Sequence, residues 1–152
     1  MAAITPPVFD EFYRDRLGPT VRQVALLVGS TAVAEELAHD AMIEVYRRWE
    51  TLDSPAAYLY RCSTNAAFGW LRRRERADRP VEVSEAPPPT EEFIDLSRAL
   101  TRLPERQRAA VVLRYVADLT EAQIAAALEC RPGTVGPLIS RGITALRKEM
   151  DT

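Results

Sequence analysis

Apolar residues return every three or four positions through most of the chain, the spacing that lines one side of an α-helix. Four such stretches fill the first half. Residues 6–16 carry Val8, Phe9, Phe12 and Tyr13, and residues 19–28 carry Val21, Val24, Ala25 and Val28. Residues 31–50 start at Thr31 and run through Ala34, Leu37, Ala38, Ala41, Val45 and Trp49, with Ile43 and Tyr46 widening the stripe. Residues 55–76 begin at Pro55, suited to a first helical turn, behind Ser54, suited to an N-cap. The second half continues the habit at 93–101, at 104–117 (Ala109, Val112, Leu113, Val116), at 119–128 and at 131–150. No convincing strand alternation appears, so the pattern predicts an all-α chain.

The period fails once. The segment "VEVSEAPPPTEEF" (81–93) is rich in Pro and Glu and reads as an extended, solvated linker. The expected organisation is a helical domain over 6–79, a flexible acidic linker over 80–95 and a second helical domain over 96–150. A length of 152 residues suits one ordinary domain or two small ones. Apolar and charged contents of 47% and 28% are ordinary for a soluble globular protein. The longest aliphatic runs, such as "VALLV" (24–28), are too short to span a bilayer, and the opening residues lack a secretory pattern. No membrane insertion is expected, and the expected location is the cytoplasm. Cys62 and Cys130 fit no zinc spacing and read as reduced thiols.

The net charge of −2 hides an uneven distribution. Residues 47–79 hold 8 basic and 4 acidic side chains, residues 80–97 hold 5 acidic and none basic, and residues 130–152 hold 4 basic and 2 acidic. Two separate gatherings of positive charge fit two footprints on a polyanion, and equally two solvated helix faces.

The C-terminal gathering has a recognisable form. In "LTEAQIAAAL" (119–128), Thr120 and Gln123 have the spacing of a capping box, and Leu119 and Ile124 that of a hydrophobic staple. The break "ECRPG" leads into "RPGTVGPLISRGITALRKEM" (131–150). There Val135, Leu138, Ile139, Ile143, Leu146 and Met150 form the expected buried stripe. Thr134, Ser140, Arg141, Thr144, Arg147 and Lys148 point elsewhere. A capped short helix, a tight break and a longer helix with a basic outer face fit a helix-turn-helix that enters the major groove. An ordinary αα-hairpin gives the same pattern. Gly136 and Pro137 leave the leading end without a side-chain donor. Proline inside a helix costs ~3 kcal/mol, so the helix is expected to start near Thr134 as N-cap, where Pro137 has no bond to lose.

The other gathering lies in "YLYRCSTNAAFGWLRRRER" (58–76). Arg61, Asn65 and Arg72 fall on roughly one face, Tyr58 and Phe68 border it, and Arg72, Arg73, Arg74 and Arg76 crowd the last turns. Aromatics that stack on bases beside arginines that neutralise phosphate suit single-stranded nucleic acid. Leu59, Cys62, Ala66, Trp70 and Leu71 read as core, and the helix dipole alone favours arginines at a C-terminus. Glu36 and His39 have the spacing used in di-iron bundles, but such a site needs two of these motifs and the chain has one histidine. No metal and no cofactor are expected, and no phosphate loop or nucleophile–base pair points to catalysis. His39 and Asp40 read as exposed polar residues.

Taken in order, these pieces resemble a bacterial RNA polymerase sigma factor of the extracytoplasmic-function (ECF) group, within the sigma-70 family. "AEELAHDAMIEVYRRW" (34–49) is similar to the family's polymerase-binding helix. "SPAAYLYRCSTNAAFGWLRRRER" (54–76) is similar to its minus-ten helix, in the family's region 2. "LTRLPERQRAAVVLRYVADLTEAQIAAALECRPGTVGPLISRGITALR" (100–147) is similar to the minus-thirty-five domain, region 4, with "LPERQR", "LRY", "IA", "GTV" and "LR" in register.

The resemblance implies partners and roles. Asp40, Ile43, Val45 and Tyr46 would face the clamp helices of the largest subunit of core RNA polymerase, and the second domain would meet the flap of the second largest. The loop 51–54 with Tyr58, Arg61 and Asn65 would hold a flipped promoter base, and Arg72, Arg73, Arg74 and Arg76 nearby phosphates. Arg131, Thr134, Ser140, Arg141 and Thr144 would meet the upstream element. The linker would thread a basic polymerase channel, and an anti-sigma factor is a further partner. The chain departs from the family at Gly136 and Pro137, where Lys or Arg and then Ser are common. A bidentate contact to guanine is missing there, so upstream specificity is expected to rest on Arg131, Ser140, Arg141 and DNA shape. The competing readings are a stand-alone helix-turn-helix regulator and a sigma-like decoy that binds polymerase or an anti-sigma partner but no promoter.

Overall fold

The pattern predicts two helices before residue 29, and the structure holds one. In this computed structural model, which describes residues 5–77 and 90–151, α1 runs unbroken from Thr5 to Val28 with Pro19 inside it. Gly18 precedes that proline and has no Cβ to meet its ring. One helical hydrogen bond is forfeited at Pro19, and the next residue adds one, because the Thr20 hydroxyl donates to the Arg16 carbonyl at 2.7 Å. The helix ends at Gly29, whose φ of 80° lies in the left-handed region and whose N–H donates to the Ala25 carbonyl at 2.8 Å.

The remaining elements are α2 (Thr31–Arg47), a 3-10 turn (Trp49–Thr51), α3 (Pro55–Ala77), α4 (Glu91–Thr101), α5 (Glu105–Tyr115), α6 (Glu121–Leu128) and α7 (Pro132–Met150). No strand occurs among the described residues. Local chemistry sets most starts. The Ser30, Ser54 and Thr90 hydroxyls accept the N–H of Val33, Ala57 and Phe93. At α6 both bonds of the capping box form: the Gln123 N–H donates to the Thr120 hydroxyl, and the Gln123 side chain accepts the Thr120 N–H. The expected linker falls on residues 80–89, outside the described residues, and on 90–95, where α4 has begun by Glu91.

Apolar burial follows the stripes with a few differences, among them Val8 near the start of α1, which is exposed. Ile43 and Tyr46 of α2 are exposed (44% and 60%), and Met42 is buried in their stead. Val116 of α5 and Met150 of α7 sit at helix ends, past the last turn that a neighbour covers, and are also exposed. A smaller cluster joins Ala41, Met42, Val45 and Leu59 to Phe9, Phe12, Tyr13 and Trp49. The larger one crosses the middle of the chain. Val24, Leu27 and Val28 of α1 and Ala67 and Phe68 of α3 share it with Leu100, Leu113, Ile124, Leu128 and Val135.

One charged residue stands inside that seam. Arg108 of α5 is 7% exposed. Its guanidinium donates to the Leu27 carbonyl at 2.5 Å and to the Thr101 and Leu103 carbonyls, both at 3.0 Å. Leu27 and Thr101 lie at the C-terminal ends of α1 and α4, where carbonyls lack helical partners and the dipole favours a cation. Burial lowers the Arg108 pKa, and the Glu105 charge pulls it back up.

Close packing has a second fixed point at Gly142, in the middle of α7. A Cβ there would stand 2.6 Å from the Val111 Cγ2 and 3.2 Å from the Gln107 carbonyl oxygen. Gly142→Ala should destabilise the protein by about 1–3 kcal/mol in urea unfolding. Arg108→Met keeps the side-chain volume and strips three carbonyls of their donor, so it should cost about 2–5 kcal/mol in the same assay. A loss below about 0.5 kcal/mol, the size of an ordinary surface substitution, would show that the buried cation does not organise the seam.

Candidate nucleic-acid interface

Helix α3 sorts the predicted residues by face. Arg61, Asn65, Arg72, Arg73 and Arg76 are exposed, and Tyr58 and Arg74 are half-buried. Phe68, expected beside them, is 5% exposed and belongs to the core, so the face holds one bordering aromatic. The ring of Tyr58 lies under the Arg48 guanidinium, 5.7 Å from centroid to carbon. Burial raises the Tyr58 pKa, and the Cys62 hydrogen bond adds to the rise, so the phenol stays neutral and able to donate. The Cys62 thiol is likewise pushed up by burial and stays protonated. Arg74 stacks over Trp70 at 5.3 Å. Arg76 Nε donates to the Arg72 carbonyl, serving the last turn of its own helix.

Two cations of this face are already engaged by the second half. Arg61 Nε donates to Glu129 Oε1 at 2.6 Å, and Asn65 Nδ2 donates to the same oxygen at 3.3 Å. Arg72 reaches Glu105 at 3.4 Å. Where α3 ends against α4 and α5, a cleft of about 1280 Å³ gathers Arg72, Arg74, Arg98 and Arg102 around Glu75 and Glu105.

Glu129 was not singled out by the pattern of the sequence, and its backbone explains its position. It follows α6 with φ 56° and ψ 46°, a left-handed conformation usually left to glycine or asparagine. The Cys130 N–H donates to the Ala125 carbonyl at 3.0 Å and the Glu129 N–H to the Ala126 carbonyl at 3.4 Å, the two bonds of a Schellman motif. Arg106 of α5 adds a donor to the Leu128 carbonyl. The turn thereby aims the Glu129 side chain at α3.

The same turn delivers the second helix of a helix-turn-helix. Helix α7 starts at Pro132, with Arg131 as N-cap, and not near Thr134. Proline at the first helical position has its φ preset and no N–H to strand, and Arg131 takes the extended conformation that a following proline favours (φ −73°, ψ 143°). Pro137 therefore lies inside the helix. Its missing N–H leaves the Gly133 carbonyl without a helical donor, and Gly133 is exposed, so water can meet it. Gly136 tolerates the following ring for the reason Gly18 does. A Cβ on Gly136 would meet the Glu121 carboxylate at 3.7 Å, so the leading end carries an acid beside it and no cation at 136 or 137. Arg131, Thr134, Ser140, Arg141 and Thr144 are all exposed, and Thr144 returns its hydroxyl to the Ser140 carbonyl at 3.0 Å.

The third predicted surface lies on α1 and α2. Asp40, Ile43 and Tyr46 are exposed, but Val45 is fully buried and cannot touch a partner directly. An α-helix turns 100° per residue, which carries Val45 into the stripe with Ala38 and Ala41. Phe9, Tyr13, His39, Met42, Ile43 and Tyr46 line a shallow apolar depression. Within it Phe9 meets Tyr46 edge-on at 4.9 Å. The Tyr13 hydroxyl lies 3.2 Å from His39 Nδ1.

Comparisons with known proteins find two matching family models. Residues 14–77 match the family model for sigma-70 region 2, and residues 93–146 the model for sigma-70, region 4. The RNA polymerase sigma-E factor of Streptomyces coelicolor is 33% identical over 151 residues, covering 93% of this chain and 85% of that protein. The ECF RNA polymerase sigma factor RpoE of Cereibacter sphaeroides is 29% identical, over 93% of this chain and 86% of its own. Among solved structures, the sigma factor RpoE from Bartonella quintana, in complex with the anti-sigma factor NepR, superposes with a TM-score of 0.81. It is 21% identical, over 95% of this chain and 97% of that one. CnrH, in complex with the cytosolic domain of CnrY, gives a TM-score of 0.76 at 19% identity, over 99% of this chain and 92% of that one.

The Glu129 carboxyl has a pKa below its ordinary value of 4.5, through the hydrogen bonds from Arg61 and then Asn65 and through the Arg61 charge. With the folded value lowered, the bridge contributes above the ordinary carboxylate value and is lost as pH falls through the lowered one. An NMR titration of the side-chain carboxyl should show the low midpoint, and Arg61→Ala should move it upward. A midpoint indifferent to Arg61→Ala would mean that the bridge does not form in solution.

Proposed function

Because the chain belongs to the sigma-70 family, we propose that it mounts on core RNA polymerase, directs it to promoters and assists the opening of the duplex. The observation that carries this reading is the pair of separate polar surfaces, one on α3 and one on α7, each inside its matched sigma region. Neither surface holds a catalytic constellation, and its chemistry is that of binding. The protein is a specificity subunit, and it works where polymerase works. Among the described residues no helix is long and apolar enough to cross a membrane.

On α3, Arg61, Asn65 and Tyr58 receive an unstacked base of the non-template strand, with Arg72, Arg73, Arg74 and Arg76 along its phosphates. Extruding a base costs a few kcal/mol, and least where strands already separate, so the helix captures an opening that polymerase helps to create. On α7, Arg131, Thr134, Ser140, Arg141 and Thr144 meet the upstream element. Gly136 and Pro137, with Glu121 beside them, offer no side-chain donor to a guanine edge at those two positions. The exposed Asp40, Ile43 and Tyr46 dock on the clamp helices, with Val45 supporting them from beneath. The flap of the second largest subunit meets the region around α5 to α7. The solved relative seated with NepR supports an anti-sigma protein as a further partner class.

Run-off transcription with purified core polymerase, this protein and genomic DNA fragments should yield new 5′ ends that share an upstream sequence. The absence of any protein-dependent transcript, together with no binding to the core enzyme at any salt concentration, would overturn the proposal. Arg141→Ala should weaken promoter binding of the holoenzyme by ~1–3 kcal/mol and leave binding to core polymerase unchanged. Base changes opposite the leading turn of α7 should each cost less than that, and a full-sized penalty there would refute the account of Gly136 and Pro137.

A further inference from the structure

We propose that the cleft where α3 ends against α4 and α5 is a binding site for a small polyphosphate, a ligand distinct from promoter and polymerase. Arg72, Arg74, Arg98, Arg102 and Arg108 line it, against Glu75 and Glu105. The whole chain carries a net charge of −2, so this excess of cations is local and does not follow from composition. A volume of about 1280 Å³ leaves room for a ligand of nucleotide size. Arg98 lies in the last turns of α4 and Arg102 caps its end, outside both surfaces assigned to the promoter.

Two features make the cleft more than a charged surface. Arg108 in its wall is 7% exposed, and its Nε is buried without a partner. The guanidinium bonds only neutral carbonyls, and among the described residues no carboxylate lies within ion-pair distance of it. Its charge is therefore unmatched at contact range, and the apolar surroundings carry its field into the cleft. Helix α5 opens on the same cleft through Pro104 and Glu105, and no side chain caps its first N–H groups. Those groups and the helix dipole favour an anion. The carboxylates already present select for a ligand of several charges. Arg72 meets Glu105 at 3.4 Å and Arg102 meets Glu149 at 3.0 Å, both with largely exposed arginines and hence screened. A single phosphate would only trade places with one carboxylate. A polyphosphate chain reaches several arginines together and displaces such weak pairs at little cost. Val28, Leu71, Leu103 and Pro104 add an apolar strip to the wall, suited to the ring of a base.

Calorimetric titration of the full chain with inorganic tripolyphosphate, without divalent cations, should show one site. Orthophosphate at matched ionic strength should bind at least about tenfold more weakly, the effect of losing one hydrogen bond to a charged group. Arg98→Ala and Arg102→Ala should each weaken tripolyphosphate binding by about the same factor. Both positions are exposed, so the melting temperature should hold. Arg14→Ala, on α1 and outside the cleft, should leave binding unchanged. Glu75→Gln removes a carboxylate from the wall and should tighten binding about twofold, a gain that misfolding cannot produce. Adenosine triphosphate is the second probe. If it binds no tighter than tripolyphosphate, the cleft reads the phosphate chain alone; if it binds tighter, the apolar strip takes the base, and either result supports the site. Binding that Arg98→Ala and Arg102→Ala do not weaken, or that Arg14→Ala weakens equally, overturns the proposal, because the anion would then be spread over the surface. Equal affinity for orthophosphate overturns it too. If a labelled single-stranded oligonucleotide loses as much affinity as tripolyphosphate in the two arginine variants, the cleft belongs to nucleic acid and the proposal is wrong.

Discussion

Everything in this molecule is arranged around a buried cation that takes its bonds from backbone. Arg108 draws together carbonyls at the ends of α1 and α4 and in the turn after α4, and its bonds to Leu27 and Leu103 are buried in the apolar seam. A guanidinium serves because it is planar, permanently charged and offers a fork of donors; an ammonium would present one compact charge and miss part of the set. One donor, Nε, is buried without a partner. The cost of that group, and of removing the charge from water, is offset by the three carbonyls and by the dipoles behind them. With α1, α4 and α5 held at this point, the larger apolar cluster closes around it and brings α6 against α3.

The helical class and the capped start of α6 were legible because each rests on chemistry local to a few residues. Thr120 and Gln123 need only each other. What the pattern missed depends on residues distant in sequence. Nothing near Arg108 announces three carbonyls, one of them at Leu27. A left-handed Glu129 has no signature, because the usual residue for that turn is absent. Gly142 looks like a tolerated defect until Val111 is placed against it. Gly18-Pro19 reads as a helix boundary and Gly136-Pro137 as part of a first turn, and at both the helix already runs on either side, since glycine before proline removes the clash that makes the rule.

Site residues divide in the same way. Exposure of Arg61, Asn65, Arg72 and of Thr134, Ser140 and Arg141 follows from helical period and was foreseeable. Val45 shows the limit of that logic. It neighbours two exposed residues in a widened stripe, and only packing against Leu59 and the aromatics of α1 decides that it turns inward. That Arg61 and Asn65 meet a carboxylate as well as water depends on docking between the halves, which no period encodes.

Pro137 gives helix α7 a mechanical property of its own. A helix resists bending because consecutive turns are laced together on every side, and here one lace is absent at Gly133. The first turns are therefore softer toward that side than the rest, while Gly142 keeps the middle of the rod clamped on α5. Such a rod has a stiff shaft and a compliant nose, suited to following the curvature of a groove by contour more than by chemical lettering.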